Sequence, residues 1–321
     1  MTASVENWAQ QVRAGDVRAI SRAVSAIENR DTDAEPILRE LFPHTGKAYR
    51  IGITGAPGTG KSTLVDRMAA YYRAQKQTVG IIAVDPSSPF TGGSILGDRI
   101  RMQSHSGDEG VFIRSMATRG FLGGLSQATR DTTLLLDAAG KEIILVETVG
   151  VGQGEIEVVR LADCTLVVLM PGMGDDVQNL KAGLMEIGDI FVLNKSDREG
   201  ADRYVQQLKA VLALVPEREG WKPPVVRTVA TDNKGIADLC TQIEKFRAHF
   251  AQAHESRARE IEHWKQWILQ LLETRLLERV SQRHLSQKEL DRISTLVADR
   301  KLDPYGAVND ILAKAGLGDP R

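Results

Sequence analysis

Between an apolar run, Tyr49 to Thr54, and a helical pattern, Ser62 to Arg73, stand eight residues: Gly55-Ala56-Pro57-Gly58-Thr59-Gly60-Lys61-Ser62. No other feature constrains the fold as strongly. Strand, glycine loop ending in Lys-Ser, and helix, in that order, build a concave run of backbone N–H groups at a helix N-terminus. Glycines allow this curvature because they reach conformations that other residues resist. The cradle suits the phosphates of a nucleoside polyphosphate. Lys61 is placed to neutralise the β- and γ-phosphates, Ser62 to ligate Mg²⁺, and Thr63 to extend the cradle into the helix, whose positive end faces the anion. What the loop leaves open is the base.

The sequence around the loop predicts an α/β fold. From Tyr49 to about Phe250, β-branched apolar runs alternate with helical patterns: Val79 to Val84, Val111 to Arg114, Glu142 to Glu147, Thr165 to Met170, Ile190 to Leu193 and Val225 to Val229. Strands that are apolar throughout belong to a mainly parallel sheet covered on both faces, here a P-loop NTPase sheet. Ahead of it, Val12, Val17, Ile20, Val24 and Ile27 recur at helical spacing. Asp31-Thr32-Asp33 then breaks the pattern and caps a short helix near Ile37 to Leu41. After about Ala251 the chain becomes charge-rich and helical. Ile261, Trp264, Ile268, Leu271, Leu272, Leu276 and Val280 form a stripe, and two shorter helices follow near Gln287 to Ala298 and Pro304 to Ala315. Three regions result: an N-terminal helical extension over 1–46, a nucleotide domain over 47–252 and a C-terminal helical region over 253–321. A long helix with such a stripe needs a partner surface, and Trp264 and Trp267 are anchor-type residues, so a homodimer is expected.

The base is addressed where Phe191-Val192-Leu193 ends in Asn194-Lys195-Ser196-Asp197. A carboxylate just beyond a strand end accepts from both the ring N–H and the exocyclic amine of guanine, a pair that adenine lacks. Asp197 is therefore the candidate guanine reader. Asn194 ties this segment to the phosphate loop, and the aliphatic stem of Lys195 covers the ring face. Read alone, Ser196 and Asp197 equally suit a helix N-cap; downstream of a phosphate loop, guanine is the stronger reading. The strand Val225 to Val229 delivers Ala230, whose backbone N–H is a candidate donor to the guanine carbonyl.

Three acidic residues lie where carboxylates of a parallel sheet face the phosphates. Asp85 closes Ile81-Ile82-Ala83-Val84 and opens the turn-rich Pro86-Ser87-Ser88-Pro89; Asp98 sits in Gly97-Asp98-Arg99-Ile100-Arg101; Glu147 begins Glu147-Thr148-Val149-Gly150. With Ser62 they form the candidate Mg²⁺ set, since Mg²⁺ takes one or two carboxylates directly or through water. Gly150 is a candidate N–H donor to the γ-phosphate. Val151 stands where Ras-like enzymes carry the glutamine that orients water, and Gln153 is displaced by two positions. Slow intrinsic hydrolysis, accelerated by a partner, is the consequence.

Composition sets outer limits. The chain has 321 residues and a net charge of −1, a balance that argues against a nucleic-acid-binding face. Its two cysteines, Cys164 and Cys240, have no metal-binding spacing and read as core thiols in a reducing compartment. No apolar run approaches the roughly 20 residues of a membrane span. Met1 to Gln11 lacks signal-peptide and transit-peptide character, so the expected location is the cytoplasm.

Asp85-Pro86-Ser87-Ser88, Gly97-Asp98-Arg99-Ile100-Arg101-Met102, Glu147 through Gln153 and Asn194-Lys195-Ser196-Asp197 together resemble the G-protein chaperones of adenosylcobalamin-dependent acyl-CoA mutases. These are the methylmalonyl-CoA mutase-associated proteins, historically misnamed as an arginine/ornithine transport kinase. The resemblance runs from the N-terminal helices to Asp303-Pro304-Tyr305. It implies a homodimeric GTPase of the class that includes signal-recognition and nickel-insertion GTPases, binding GTP or GDP with Mg²⁺. It also implies gating of cobalamin loading onto the mutase, release of damaged cofactor and protection of the mutase. Pro171 to Glu186 then corresponds to a nucleotide-responsive loop in which Lys181 couples nucleotide state to the mutase. Asn179, Leu180 and Ala182 depart from the family pattern. They leave the client open between methylmalonyl-CoA mutase and a mutase for another branched or hydroxylated acyl-CoA.

Two rival functions share the phosphate loop. A metal-insertion GTPase normally carries a histidine-rich tract or Cys-x-x-Cys, whereas the six histidines here are scattered. A small-molecule kinase would use ATP, against which Asn194 to Asp197 argues.

Overall fold

The structure is a computed structural model and describes residues 2–85, 105, 107–117, 127–148, 161–172, 182–215, 217–251 and 255–317. The chain divides into two compact units, Met1–Gln252 and Ala253–Arg321.

The first unit is built on seven parallel strands: β1 (Tyr49–Thr54), β2 (Val79–Asp85), β3 (Val111–Ala117), β4 (Ile143–Thr148), β5 (Cys164–Leu169), β6 (Ile190–Leu193) and β7 (Val225–Arg227). Their spatial order is β3-β2-β4-β1-β5-β6-β7. The chain thus runs outward from β1 on one side, then crosses back over it to build the other. Sheets of this kind bind ligands beyond the carboxyl ends of their strands, near such a reversal, and the phosphate loop leaves β1 at that edge.

Alternation along the strands sorts the core into layers. Ile51 and Ile53 of β1 and Ile143 and Leu145 of β4 face one way, onto helices α4 (Lys61–Ala74) and α8 (Ile236–Ala251). Ile144 and Val146 of β4 face the other way, onto α1 (Thr2–Arg13), α2 (Val17–Asn29), α3 (Ala34–Leu41) and α5 (Gln127–Ala138). A third cluster joins Phe191 and Leu193 of β6 to α7 (Ala201–Leu212); the short α6 (Ala182–Ile187) precedes β6. α4 buries Leu64, Val65, Met68, Ala69 and Tyr72 at helical spacing. Each large apolar side chain so buried contributes roughly 1.5–3 kcal/mol, which holds the helix against the sheet whatever its N-terminal end does.

Polar ties fix the path into β1. The Asp137 carboxylate accepts from the N–H groups of Gly46, Lys47 and Ala48 at 2.6, 3.1 and 3.0 Å. Arg50 donates three bonds to Asp163, ahead of β5, one from its backbone N–H and two from its guanidinium. At the opposite end of α4, Arg73 grips Asp108 with two bonds of 2.8 Å. Cys164 and Cys240 are buried free thiols; burial pushes Cys164 well up and Cys240 up to about 12.

Three details differ from the sequence-based expectation. The N-terminal apolar residues are shared between two helices, Val12 in α1 and the others in α2, because the chain turns at Ala14-Gly15 and Asp16 caps α2 by accepting from Ala19 N–H at 2.6 Å. Asp33 occupies the N-cap position of α3 but makes no side-chain cap bond. The last strand ends at Arg227 because Val229 leaves the ladder to bridge Lys234.

The second unit comprises α9 (Glu255–His284), α10 (Gln287–Ala298) and α11 (Pro304–Lys314). Glu289 of α10 accepts from Arg292 and from Lys314 of α11, and these partners draw its carboxyl down to about 2. Trp267 is buried, not displayed, so it is no exposed anchor. The exposed apolar residues of α9 are aliphatic: Ile261, Ile268, Leu269, Leu272, Leu276 and Leu277. Among the described residues, no helix is long and apolar enough to cross a membrane.

Candidate nucleotide site

The loop between β1 and α4 is held by contacts that only its sequence permits. Gly55 has φ +142°, and a Cβ there would lie 2.1 Å from the carbonyl oxygen of Val168 on β5. Gly60, with φ +90°, passes so close to Asn194 that a Cβ would lie 2.4 Å from its amide nitrogen. Gly55→Ala is therefore expected to unseat the loop. The obstructing atom is backbone inside the sheet, so the strain exceeds about 2 kcal/mol. Thermal melting and binding of a fluorescent GTP analogue check this; a variant that melts and binds like the wild type would contradict the close approach.

Lys61 is the first residue of α4 and is buried. Its ammonium donates to the carbonyls of Gly55 at 2.7 Å and Ala56 at 3.0 Å, which brings a cation within the curve of the loop. Thr59 is fully buried, and its hydroxyl donates to the Ala56 carbonyl at 2.9 Å, bracing the turn formed by the exposed Pro57 and Gly58. Ser62, in the first turn of α4, donates its hydroxyl to Glu147 Oε1 at 2.7 Å. Two hard oxygen donors, one beside the phosphate cradle and one at the end of β4, are the donor chemistry Mg²⁺ takes alongside phosphate oxygens. The site fits that ion.

Asn194 joins the two halves of the site. It lies buried just after β6, and its amide donates to the Thr59 carbonyl at 2.8 Å. Its Oδ1 accepts from Thr228 Oγ1 and from the Ala230 N–H, each at 3.1 Å. Ala230 thus supports Asn194 through the same N–H that the sequence offers as a candidate donor to the guanine carbonyl. Lys195 takes φ +55°, unusual for a non-glycine residue, and its ammonium donates to the Gly58 carbonyl at 2.7 Å, laying its stem toward the loop. Asp197 is exposed. Its turn is fixed by Ser196 N–H donating to the Thr228 carbonyl at 3.1 Å and by Arg198 N–H donating to that of Lys195.

The geometry therefore brings together the loop Gly55 to Ser62, Glu147, Asn194, Lys195 and Ala230. Asp85 ends β2 at the same sheet edge. Asp98, Gly150 and Lys181 lie outside the described residues, as do Val151 and Gln153. Thr228 escaped the sequence reading. Its one available signal is position, as a hydroxyl residue just past a short buried strand.

A phosphate loop wired through an asparagine to a second, aspartate-bearing loop is a guanine-nucleotide arrangement. The profile described as methylmalonyl Co-A mutase-associated GTPase MeaB matches residues 18–284. The chain belongs to the methylmalonyl-CoA mutase-associated GTPase family. A Pyrococcus horikoshii protein named as a GTPase is 46% identical over 318 residues, 97% of this chain and 98% of that one. A mouse protein described as a mitochondrial methylmalonic aciduria type A homolog is 34% identical over 271 residues, 83% of this chain and 65% of its own. The solved structure of an LAO/AO transport system kinase shares the fold, with a TM-score of 0.74 at 24% identity over 98% of both chains. This mutase-associated family member is a GTPase, and its nucleotides are GTP and GDP.

Proposed function

We propose that this GTPase is a chaperone of an adenosylcobalamin-dependent acyl-CoA mutase, gating cofactor loading and release and protecting the mutase from inactivation. The observation that carries the reading is Asn194, which bridges the Thr59 carbonyl and the Ala230 N–H and so couples the base side to the phosphate side. The family description, mutase-associated, supports a mutase as partner.

In this reading Asp197 reads guanine, and Lys195 and Asn194 frame the base. Mg²⁺ is held by Ser62 and Glu147, together with Asp85 and Asp98, and supplies charge neutralisation at the γ-phosphate. Gly150 senses that phosphate, and Lys181 carries nucleotide state to the mutase. Energy released by hydrolysis is used for conformation: a ligand shifts an equilibrium only by its differential affinity for two states. Intrinsic turnover is slow and the mutase accelerates it. The aliphatic face of α9 is the proposed homodimer surface. Buried, protonated cysteines accord with a cytoplasmic protein.

The test is GTP and ATP turnover of the purified protein, alone and with candidate cobalamin-dependent mutases. Slow, GTP-selective hydrolysis that rises with one mutase supports the chaperone and identifies its client. Equal use of ATP with no mutase effect would favour a small-molecule kinase.

A further inference from the structure

Glu147 is held from one side by Ser62, but a second contact acts on the same strand end from the other side. Thr148 Oγ1 donates to Thr54 Oγ1 at 3.2 Å, and both residues are almost fully buried, at 3% and 0% exposure. Side chains alternate along a strand. Glu147 therefore shares the face of Leu145 and Ile53, toward α4, while Thr148 and Thr54 lie on the opposite face with Val146.

The pairing register shows what this contact adds. The β1–β4 ladder runs from Tyr49↔Ile143 to Ile53↔Glu147. Beyond it, Thr54 pairs outward with Val167 of β5 and Thr148 outward with Val84 of β2. The hydroxyl bond thus takes over where the β1–β4 ladder ends. One residue further, β1 becomes the phosphate loop, whose Gly55 is already pressed against Val168.

We propose that Thr54 and Thr148 are positioning residues that set the separation between the phosphate loop and Glu147. On this account they govern how well the site retains Mg²⁺ with nucleotide. The inference rests on the GTPase assignment and on Mg²⁺ being held at Ser62 and Glu147. Loss of the tie lets the ends of β1 and β4 part, which disturbs a small ion demanding near-octahedral geometry more than it disturbs the phosphate cradle or base loop.

The experiment follows release of a fluorescent GDP analogue in saturating Mg²⁺ and in EDTA. For the wild type, EDTA is expected to accelerate release. Thr148→Val keeps the shape and removes the hydroxyl; release in Mg²⁺ is expected to quicken about three- to tenfold, with the EDTA rate unchanged. Thr54→Val should match it, and Thr148→Ser should restore slow release. In the variant carrying both valines no buried hydroxyl is stranded, so its melting temperature should recover toward wild type while its Mg²⁺-dependent release stays fast. That divergence separates positioning from simple stability. Wild-type release by Thr148→Val, equal acceleration in Mg²⁺ and EDTA, or recovery of slow release in the double variant each overturn the proposal. A wild type indifferent to EDTA overturns the metal placement itself, and this inference with it.

Discussion

Lys61→Ala is expected to lower GTP turnover by at least about 100-fold, the scale seen when one preorganised donor to a developing negative charge is removed. Two effects combine. The variant loses the cation proposed to face the β- and γ-phosphates, and it loses the bonds by which the ammonium holds the Gly55 and Ala56 carbonyls at 2.7 and 3.0 Å. The fold should survive, because α4 is fixed by Leu64, Val65, Met68 and Tyr72 on its buried face, not by Lys61. Melting temperature and nucleotide affinity should therefore separate, with a small change in the first and a large one in the second. Lys61→Arg is not a conservative control, since a planar fork cannot reproduce a compact ammonium inside a closed loop. Turnover of Lys61→Ala near the wild-type rate, measured by phosphate release, would refute the phosphate-loop assignment.

Much of this architecture is legible in the sequence because its signals are local. The strands β1, β4, β5 and β6 are short apolar runs, and a parallel sheet covered on both faces demands just that pattern. The phosphate loop is equally local, since its glycines, lysine and serine act within eight residues. Asn194 is legible because it directly follows a buried strand.

What escaped the sequence depends on partners distant along the chain. Thr228 gains meaning only by meeting Asn194, and the β1–β4 register is needed before Thr54 and Thr148 become neighbours. The Ala230 N–H turns to Asn194 Oδ1, a choice that follows from how β6 and β7 sit beside each other. Trp267 illustrates the complementary difficulty. Composition marks it as an interface anchor, yet helical phase turns it inward and leaves Ile268, Leu269 and Leu272 exposed. Periodicity identifies a face, but not which of its apolar residues the folded chain covers.

Asp197→Asn is expected to invert the base preference, from guanosine toward xanthosine nucleotides, with a combined change of about 100- to 1,000-fold in relative kcat/KM. On the proposed assignment the carboxylate accepts from two donors on guanine, the ring N–H and the exocyclic amine. Xanthine replaces that amine with a carbonyl, which two carboxylate oxygens repel and an asparagine amide satisfies. A site built around such polar pairing discriminates strongly, because a mismatch leaves desolvated groups unpaired. The position isolates this effect. Asp197 is exposed, and its turn is held by backbone bonds from Ser196 to Thr228 and from Arg198 to Lys195, none of which uses the carboxylate. Stability should therefore stay within about 0.5 kcal/mol of the wild type. ATP should gain far less than XTP, because adenine carries C–H where xanthine carries the carbonyl that the new amide meets. Competition among GTP, XTP and ATP for the variant, read by phosphate release, decides the matter: an unchanged GTP preference would assign guanine recognition to some residue other than Asp197.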